Sequence, residues 1–205
     1  MKKLVKEYTQ FRENYNFKFK ELTKIDNAIY LDDELVEDEN SKTAETDKFI
    51  NTGYNLKNSL SRGLSNLYPM KFKFKGKTVA SIESVLQGIK YRDKKLQNII
   101  LKYSGLDAYH TRGANTLDFW GNTGKLYWQG KEIDRKSNNY QLFIDELYIS
   151  VSKNPLYKKL LLSTPDKYLL HHIGNSNIDE TVLTRYEYEL RLNSLREFLR
   201  LKDSK

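Results

Sequence analysis

Residues 64–90 read LSNLYPMKFKFKGKTVASIESVLQGIK, and the period of this stretch changes halfway along. From Met70 to Phe74 apolar residues alternate with lysines, the two-residue period of a half-buried strand. Gly76, with a lysine on each side, makes the turn, and Thr78–Val79 extends again. From Ser81 the period becomes helical. Ser81 can cap a helix over Ile82–Tyr91, in which Ile82, Val85, Leu86 and Ile89 recur at i, i+3, i+4 and i+7 as a core stripe. Such a change from strand to helix, without regular repetition, indicates a mixed domain.

Working outward, residues 1–22 begin as a helix with Leu4, Tyr8 and Phe11 at helical spacing. Asn27–Val36 reads as short extended structure around an Asp32-Asp33 turn, followed by an acidic solvated loop to Thr46. Beyond the central stretch, residues 94–104 read as a helix with Leu96, Ile99, Ile100 and Tyr103 inward. A Gly-rich aromatic loop follows at 113–130, then helices over 139–151 and 156–162. In the last helix Thr184 and Glu187 fit a capping box, and Tyr188, Leu192, Leu195 and Leu199 line one face. The expected fold class is α+β, a predominantly helical single domain with a few short strands. Residues 1–60 form an N-terminal extension or lid with the acidic loop, and residues 61–205 form the catalytic domain. Strand–helix alternation, GxGxxG and the P-loop pattern are all absent, which argues against a dinucleotide- or nucleotide-binding parallel sheet.

Composition narrows the partners. The absence of cysteine rules out disulfides and thiolate metal sites and suits a reducing, cytoplasmic setting. The basic start MKKLVKEYTQF has no apolar segment like that of a secretory signal, and no apolar run approaches a membrane span. Net charge is +8, but residues 31–47 hold eight acids and one lysine, so the remainder carries +15. A body this basic favours an anionic partner, such as a pyrophosphate, a sugar phosphate or a nucleic-acid backbone, although solubility alone would also account for it. The 15 Tyr and 9 Phe make the core lean on aromatics, some of which can line a pocket.

Four constellations can carry chemistry. In the first, Ser65 and Asn66 before Pro69 offer hydrogen bonds to a ribose or phosphate, or merely shape a turn. In the second, Glu83, Gln87 and Lys90 share a helix edge beside the apolar stripe. A carboxylate there can act as general acid or base, or stabilise oxocarbenium-like charge when a glycosidic bond breaks. Lys90 can hold a phosphate or, if desolvated, attack an opened sugar. The alternative is an ordinary polar edge. In the third, Trp120, Tyr127, Trp128 and Tyr140 can stack on a base while Arg135 clamps a phosphate, or they form a packed aromatic hairpin. The fourth, His171-His172, lacks chelate spacing, so no metal is expected.

These residues, in this order, resemble the NADAR or YbiA-like family of N-glycosidases. Its members carry an LSN-type turn, a GK-type hairpin and a helix of pattern S-E-x-x-x-Q-x-x-K. Here Glu83, Gln87 and Lys90 keep the spacing, and Ser81 stands one residue further from the glutamate than usual. Downstream, Trp128, Arg135 and NPLYKKLLLST (154–164) are similar to the family's Trp, Arg and N-P-x-x-x-x-L-L-x-T. The resemblance covers roughly residues 62–200. It departs at HHIGNSNIDETVLTRYE (171–187), where many members have an Asp and a Trp-Gly.

The resemblance implies a YbiA-like fold, no cofactor, and one of two activities. One cleaves ribosylamine intermediates of the riboflavin pathway. The other removes ADP-ribose from guanine in nucleic acid. The basic body and the missing Trp-Gly favour the second, with a counter-defence role by analogy. The expected partner is therefore ADP-ribosylated nucleic acid or a ribose-phosphate small molecule, and not a membrane. In this reading Glu83 and Lys90 are catalytic, and Ser65, Asn66, Gln87, Trp120, Tyr127, Trp128, Arg135 and Tyr140 bind substrate. A module that binds ADP-ribose, NAD or nucleic acid without turnover would carry the same residues.

Overall fold

The structure is a computed structural model that describes residues 1–29, 49–56, 58–111 and 120–204. In chain order the elements are α1 (Lys2–Ile29), β1 (Phe49–Asn51), α2 (Ser59–Leu64), β2 (Phe72–Phe74), β3 (Lys77–Val79), α3 (Ile82–Gly88), α4 (Lys94–Ile100) and α5 (Gly105–His110). They continue with α6 (Trp120–Thr123), β4 (Lys125–Trp128), β5 (Lys131–Asp134), α7 (Asn138–Val151), α8 (Pro155–Leu162), β6 (Tyr168–Leu170) and α9 (Arg185–Asp203). The fold is α+β and mostly helical. Strands pair only in twos: β2 with β3 and β4 with β5 as antiparallel hairpins, and β1 with β6 in parallel.

Helix α7 runs through the middle. Tyr140, Ile144, Leu147, Tyr148, Ile149 and Val151 are fully buried, which fits a helix covered on several sides rather than along one stripe. Helices α1 and α9 cover one side of it and the β2–β3 hairpin another. The expected helix at the N-terminus extends through Asn27–Ile29, where extended structure was anticipated. Residues 30–36, and the acidic run with them, lie outside the described residues. Nor is the first helix held apart as a lid. Tyr8 is fully buried in the core, and its hydroxyl lies 3.0 Å from Ser194 Oγ on α9. Phe19 packs between the rings of Tyr168 and Tyr186.

A chain of buried charge ties these helices together. Asp145, fully buried on α7, accepts hydrogen bonds from Thr9 Oγ1 at 2.9 Å and Arg12 Nε at 3.0 Å, and faces Arg191 Nε at 3.2 Å. Arg191 donates onward to the Gln141 side chain at 2.8 Å and to the Glu187 carbonyl at 3.0 Å. Burying ions is unfavourable unless they are paired, and here Asp145 has both Arg12 and Arg191 as counter-charges.

The strand–helix stretch forms as its period dictates. Phe72 and Phe74 point inward and Lys73 outward, in register with Val79, Lys77 and Thr78. Lys75 and Gly76 make the turn with φ of 45° and 80°. Ser81 caps α3, and Ser84 completes a capping box. The helix stops at Gly88, short of the anticipated Tyr91, because its last carbonyls are taken from outside. Tyr127 N donates to Ile89 O at 2.7 Å and Gln97 Nε2 donates to Gly88 O at 2.9 Å.

Residues 94–104 correct the sequence reading. The helix breaks after Ile100, and α5 begins anew from a Ser104 cap. Leu96, Ile99 and Tyr103 face outward at 40%, 48% and 38% exposure, while Gln97 is fully buried. Gln97 Nε2 reaches the carbonyls of Gly88, Tyr91 and Tyr127, and its Oε1 accepts from both the backbone and side-chain nitrogens of Gln129 at 2.8 Å. Satisfying those buried groups fixes the rotation of so short a helix. At the start of α5, Gly105 lies directly on the Leu67 backbone, with no room for a Cβ.

Of the expected loop at 113–130, residues 113–119 lie outside the described residues. The rest is the short helix α6 and a hairpin turning at Gln129 and Gly130, with φ of 49° and 79°.

Candidate active site

The site is assembled where the LSN turn meets α3. Ser65 ends α2, and its Oγ accepts from Leu67 N at 3.3 Å, so the hydroxyl shapes the turn. Asn66 then holds two elements at once. Its carbonyl accepts from Glu83 N at 3.0 Å, and its Oδ1 accepts from the Tyr148 hydroxyl at 2.9 Å. From below, the Tyr188 hydroxyl donates to Leu64 O at 3.0 Å. Burial, above all, pushes the Tyr148 phenol well above its ordinary pKa, so it stays a donor.

Glu83 and Gln87 lie along one edge of α3, as their spacing requires, and Lys90 follows in the turn after it. Glu83 is 9% exposed and Gln87 5%. Gln87 Nε2 donates to Glu83 Oε1 at 2.6 Å, which fixes the orientation of the amide. Its other end, Oε1, is buried without a hydrogen-bond partner among the described residues. A buried acceptor left so is unfavourable by about 1–3 kcal/mol and marks a place where a ligand group can bind. Half-buried Lys90 carries its Nζ 5.9 Å from the centre of the Trp120 ring, itself 4% exposed. The structure thus brings Asn66, Glu83, Gln87, Lys90 and Trp120 to one edge.

The remaining candidates have other surroundings. Tyr127 sits on the hairpin strand bonded to the end of α3, through its own N–H to Ile89 O. Trp128 packs edge-on against Phe74 and Phe143, with ring centres 5.0 and 5.5 Å away. Arg135 is 1% exposed and forks onto Glu187, with NH1 to Oε1 at 2.9 Å and NH2 to Oε2 at 2.5 Å; its Nε donates to Thr181 O. Tyr140 lies under that guanidinium and donates its hydroxyl to Val182 O. The pair joins the hairpin end to the start of α9, where Glu187 also completes the capping box with Thr184. His171 Nδ1 lies 2.7 Å from Thr52 O, and burial is the main cause of its lowered pKa. The backbone N–H of His172 donates to Asn51 Oδ1.

Burial alone would raise the Glu187 carboxyl, but hydrogen bonds and charge from Arg135, with Gln141 and Thr184, hold it below its ordinary 4.5. A carboxyl depressed in the folded state adds stability above pH 4.5 and loses it as pH falls through the lower folded value. Glu187→Gln is therefore expected to destabilise the protein at pH 7 and to converge on wild type as pH falls below the carboxyl's lowered folded pKa. Urea midpoints across that range check this, and a pH-independent difference would refute it.

The residues that sequence reasoning missed are Gln97, Tyr148 and Tyr188. All three are polar groups buried by tertiary packing, and only the helical position of Tyr188 on an apolar face was visible beforehand.

With this geometry the class of protein becomes clear. The architecture is similar to the NMR structure of the E. coli protein YbiA, with a TM-score of 0.53 at 20% identity over 78% of this chain and 90% of that one. The fold is thus YbiA-like. The family model of Bacteriophage protein GP30.3 matches residues 59–197, from α2 through most of α9, and the chain belongs to that family. None of the curated proteins is a significant match. No helix among the described residues is long and apolar enough to cross a membrane.

Proposed function

We propose that the protein is an N-glycosidase that releases ADP-ribose from guanine in DNA. The observation that carries this reading is the buried Glu83 carboxylate, oriented by Gln87, whose own Oε1 is left as an acceptor. When the bond between the ribose anomeric carbon and the base nitrogen breaks, its electron pair leaves with the base and positive charge develops on the sugar. Glu83 stabilises that charge and takes the proton of the incoming water. The water oxygen bonds to the anomeric carbon, and the base nitrogen regains a proton. Gln87 Oε1 accepts from a ribose hydroxyl. Lys90, beside Trp120, orients the pyrophosphate.

In this reading Arg135 and Tyr140 support the hairpin rather than touch the substrate, because their polar atoms are engaged with Glu187, Thr181 and Val182. The family takes its name from a bacteriophage protein, which suits a counter-defence role.

The test is incubation with DNA bearing ADP-ribosylated guanine, with products read by mass. Restored guanine and free ADP-ribose are expected. Cleavage of phosphorylated ribosylamines alone would leave a glycosidase with another substrate. A ligand-dependent rise in melting temperature without any product would make the protein a binding module.

A further inference from the structure

The β2–β3 hairpin has a second face that the site does not use. Lys71 and Lys73 alternate with the buried Phe72 and Phe74, so both lysines point to solvent. Lys75 pairs with Glu146, while Lys71 and Lys73 have no ion-pair partner among the described residues.

Two hydrogen bonds extend this basic face at its open end, where Lys71 lies opposite Ala80. Asn154 Nδ2 donates to Lys71 O at 3.0 Å, which brings exposed Lys153 alongside. Ala80 N donates to Leu101 O at 3.0 Å, which brings exposed Lys102 and the 38%-exposed ring of Tyr103 to the same open end, beside β3. The hairpin leads directly into α3, so this strip ends at the residues that hold Glu83.

We infer that the outer face of the β2–β3 hairpin is the track on which the phosphate backbone of a nucleic acid lies as it enters the Glu83 site. The assignment of nucleic acid as the partner rests on the glycosidase reading above. The chemistry of the face favours a polyphosphate over a protein. Met70, Phe72, Phe74 and Val79 are all buried, so the strip offers lysines and almost no apolar surface. Protein interfaces have apolar centres and are depleted in lysine, whereas backbone binding needs only cations in a row and a ring or two for stacking.

Fluorescence anisotropy with unmodified single-stranded DNA of about 20 nucleotides over a salt series tests this. Each neutralised phosphate contributes about 0.7 to the slope of log K against log salt, so the double variant Lys71→Glu/Lys73→Glu is expected to lower the slope by about 1.4. Lys2→Glu/Lys3→Glu makes the same charge change at the exposed start of α1 and is expected to leave the slope as in wild type. An unchanged slope in the hairpin variant, an equal loss in the control, or competition by poly-glutamate as strong as by DNA would overturn the inference. The probe carries no ADP-ribose, so its binding is independent of turnover. Wild-type turnover of the modified strand together with an unchanged slope would sink the track alone. A lysine-dependent slope without turnover would sink the glycosidase reading alone.

Discussion

Glu83→Gln is expected to lower turnover of an ADP-ribosylated oligonucleotide by about a thousandfold, the middle of the range for loss of a positioned proton-transfer group. Substrate affinity should stay within about threefold, because the exchange preserves shape and removes only charge. The fold should persist. The backbone N–H at position 83 still donates to Asn66 O, and the new amide oxygen can still accept from Gln87. Single-turnover rates, binding titration and a melting curve separate the three quantities. If the variant keeps turnover within about twofold, Glu83 is a helix-edge residue and the catalytic assignment fails.

Asp145→Asn is expected to have the largest effect on stability, about 3–5 kcal/mol, the range for removing one partner from a buried ion pair. Asp145 is fully buried and is held by Thr9, Arg12 and Arg191, so the substitution leaves two guanidinium groups without their counter-charge. Equilibrium urea unfolding measures the change. A loss under about 1 kcal/mol would mean that the arginines re-pair or hydrate at little cost. Activity per folded molecule should be unchanged, since this cluster joins α1, α7 and α9 and contains none of the site residues. The contrast with Glu83→Gln, which affects rate and spares stability, makes the two variants mutual controls.

What could be read from the sequence follows the range of the interactions involved. The hairpin and α3 were legible because Lys–Phe alternation, the glycine turn and the Ser81 cap are local signals. The last helix was legible through Thr184 and Glu187 for the same reason. The shared edge of Glu83 and Gln87 followed from helical geometry once α3 was placed, whereas Lys90 lies in the turn beyond the helix. The parallel pairing of β1 with β6 was not legible, because three-residue strands far apart in the chain carry no period of their own. The orientation of α4 was misread. Leu96 and Ile99 have the apolar character of core residues, but Gln97, which donates to the carbonyls of Gly88, Tyr91 and Tyr127, takes the inner face. Arg135 looked like a phosphate clamp because an arginine beside tyrosines has that chemistry. Its actual partner, Glu187, was already accounted for as a cap, and nothing local showed that one carboxylate serves both.

The seam between α1 and α9 also bears on how the chain is made. Tyr8 meets Ser194 at a separation of 186 positions in sequence, and Arg12 is linked to Arg191 through Asp145. During synthesis α1 leaves the ribosome before α7 and long before α9, so the side of it that packs on α9 stays uncovered until residues 185–203 have been made. A chain that lacks residues 185–203 therefore leaves that side of α1 uncovered, a surface that chaperones and proteases can bind.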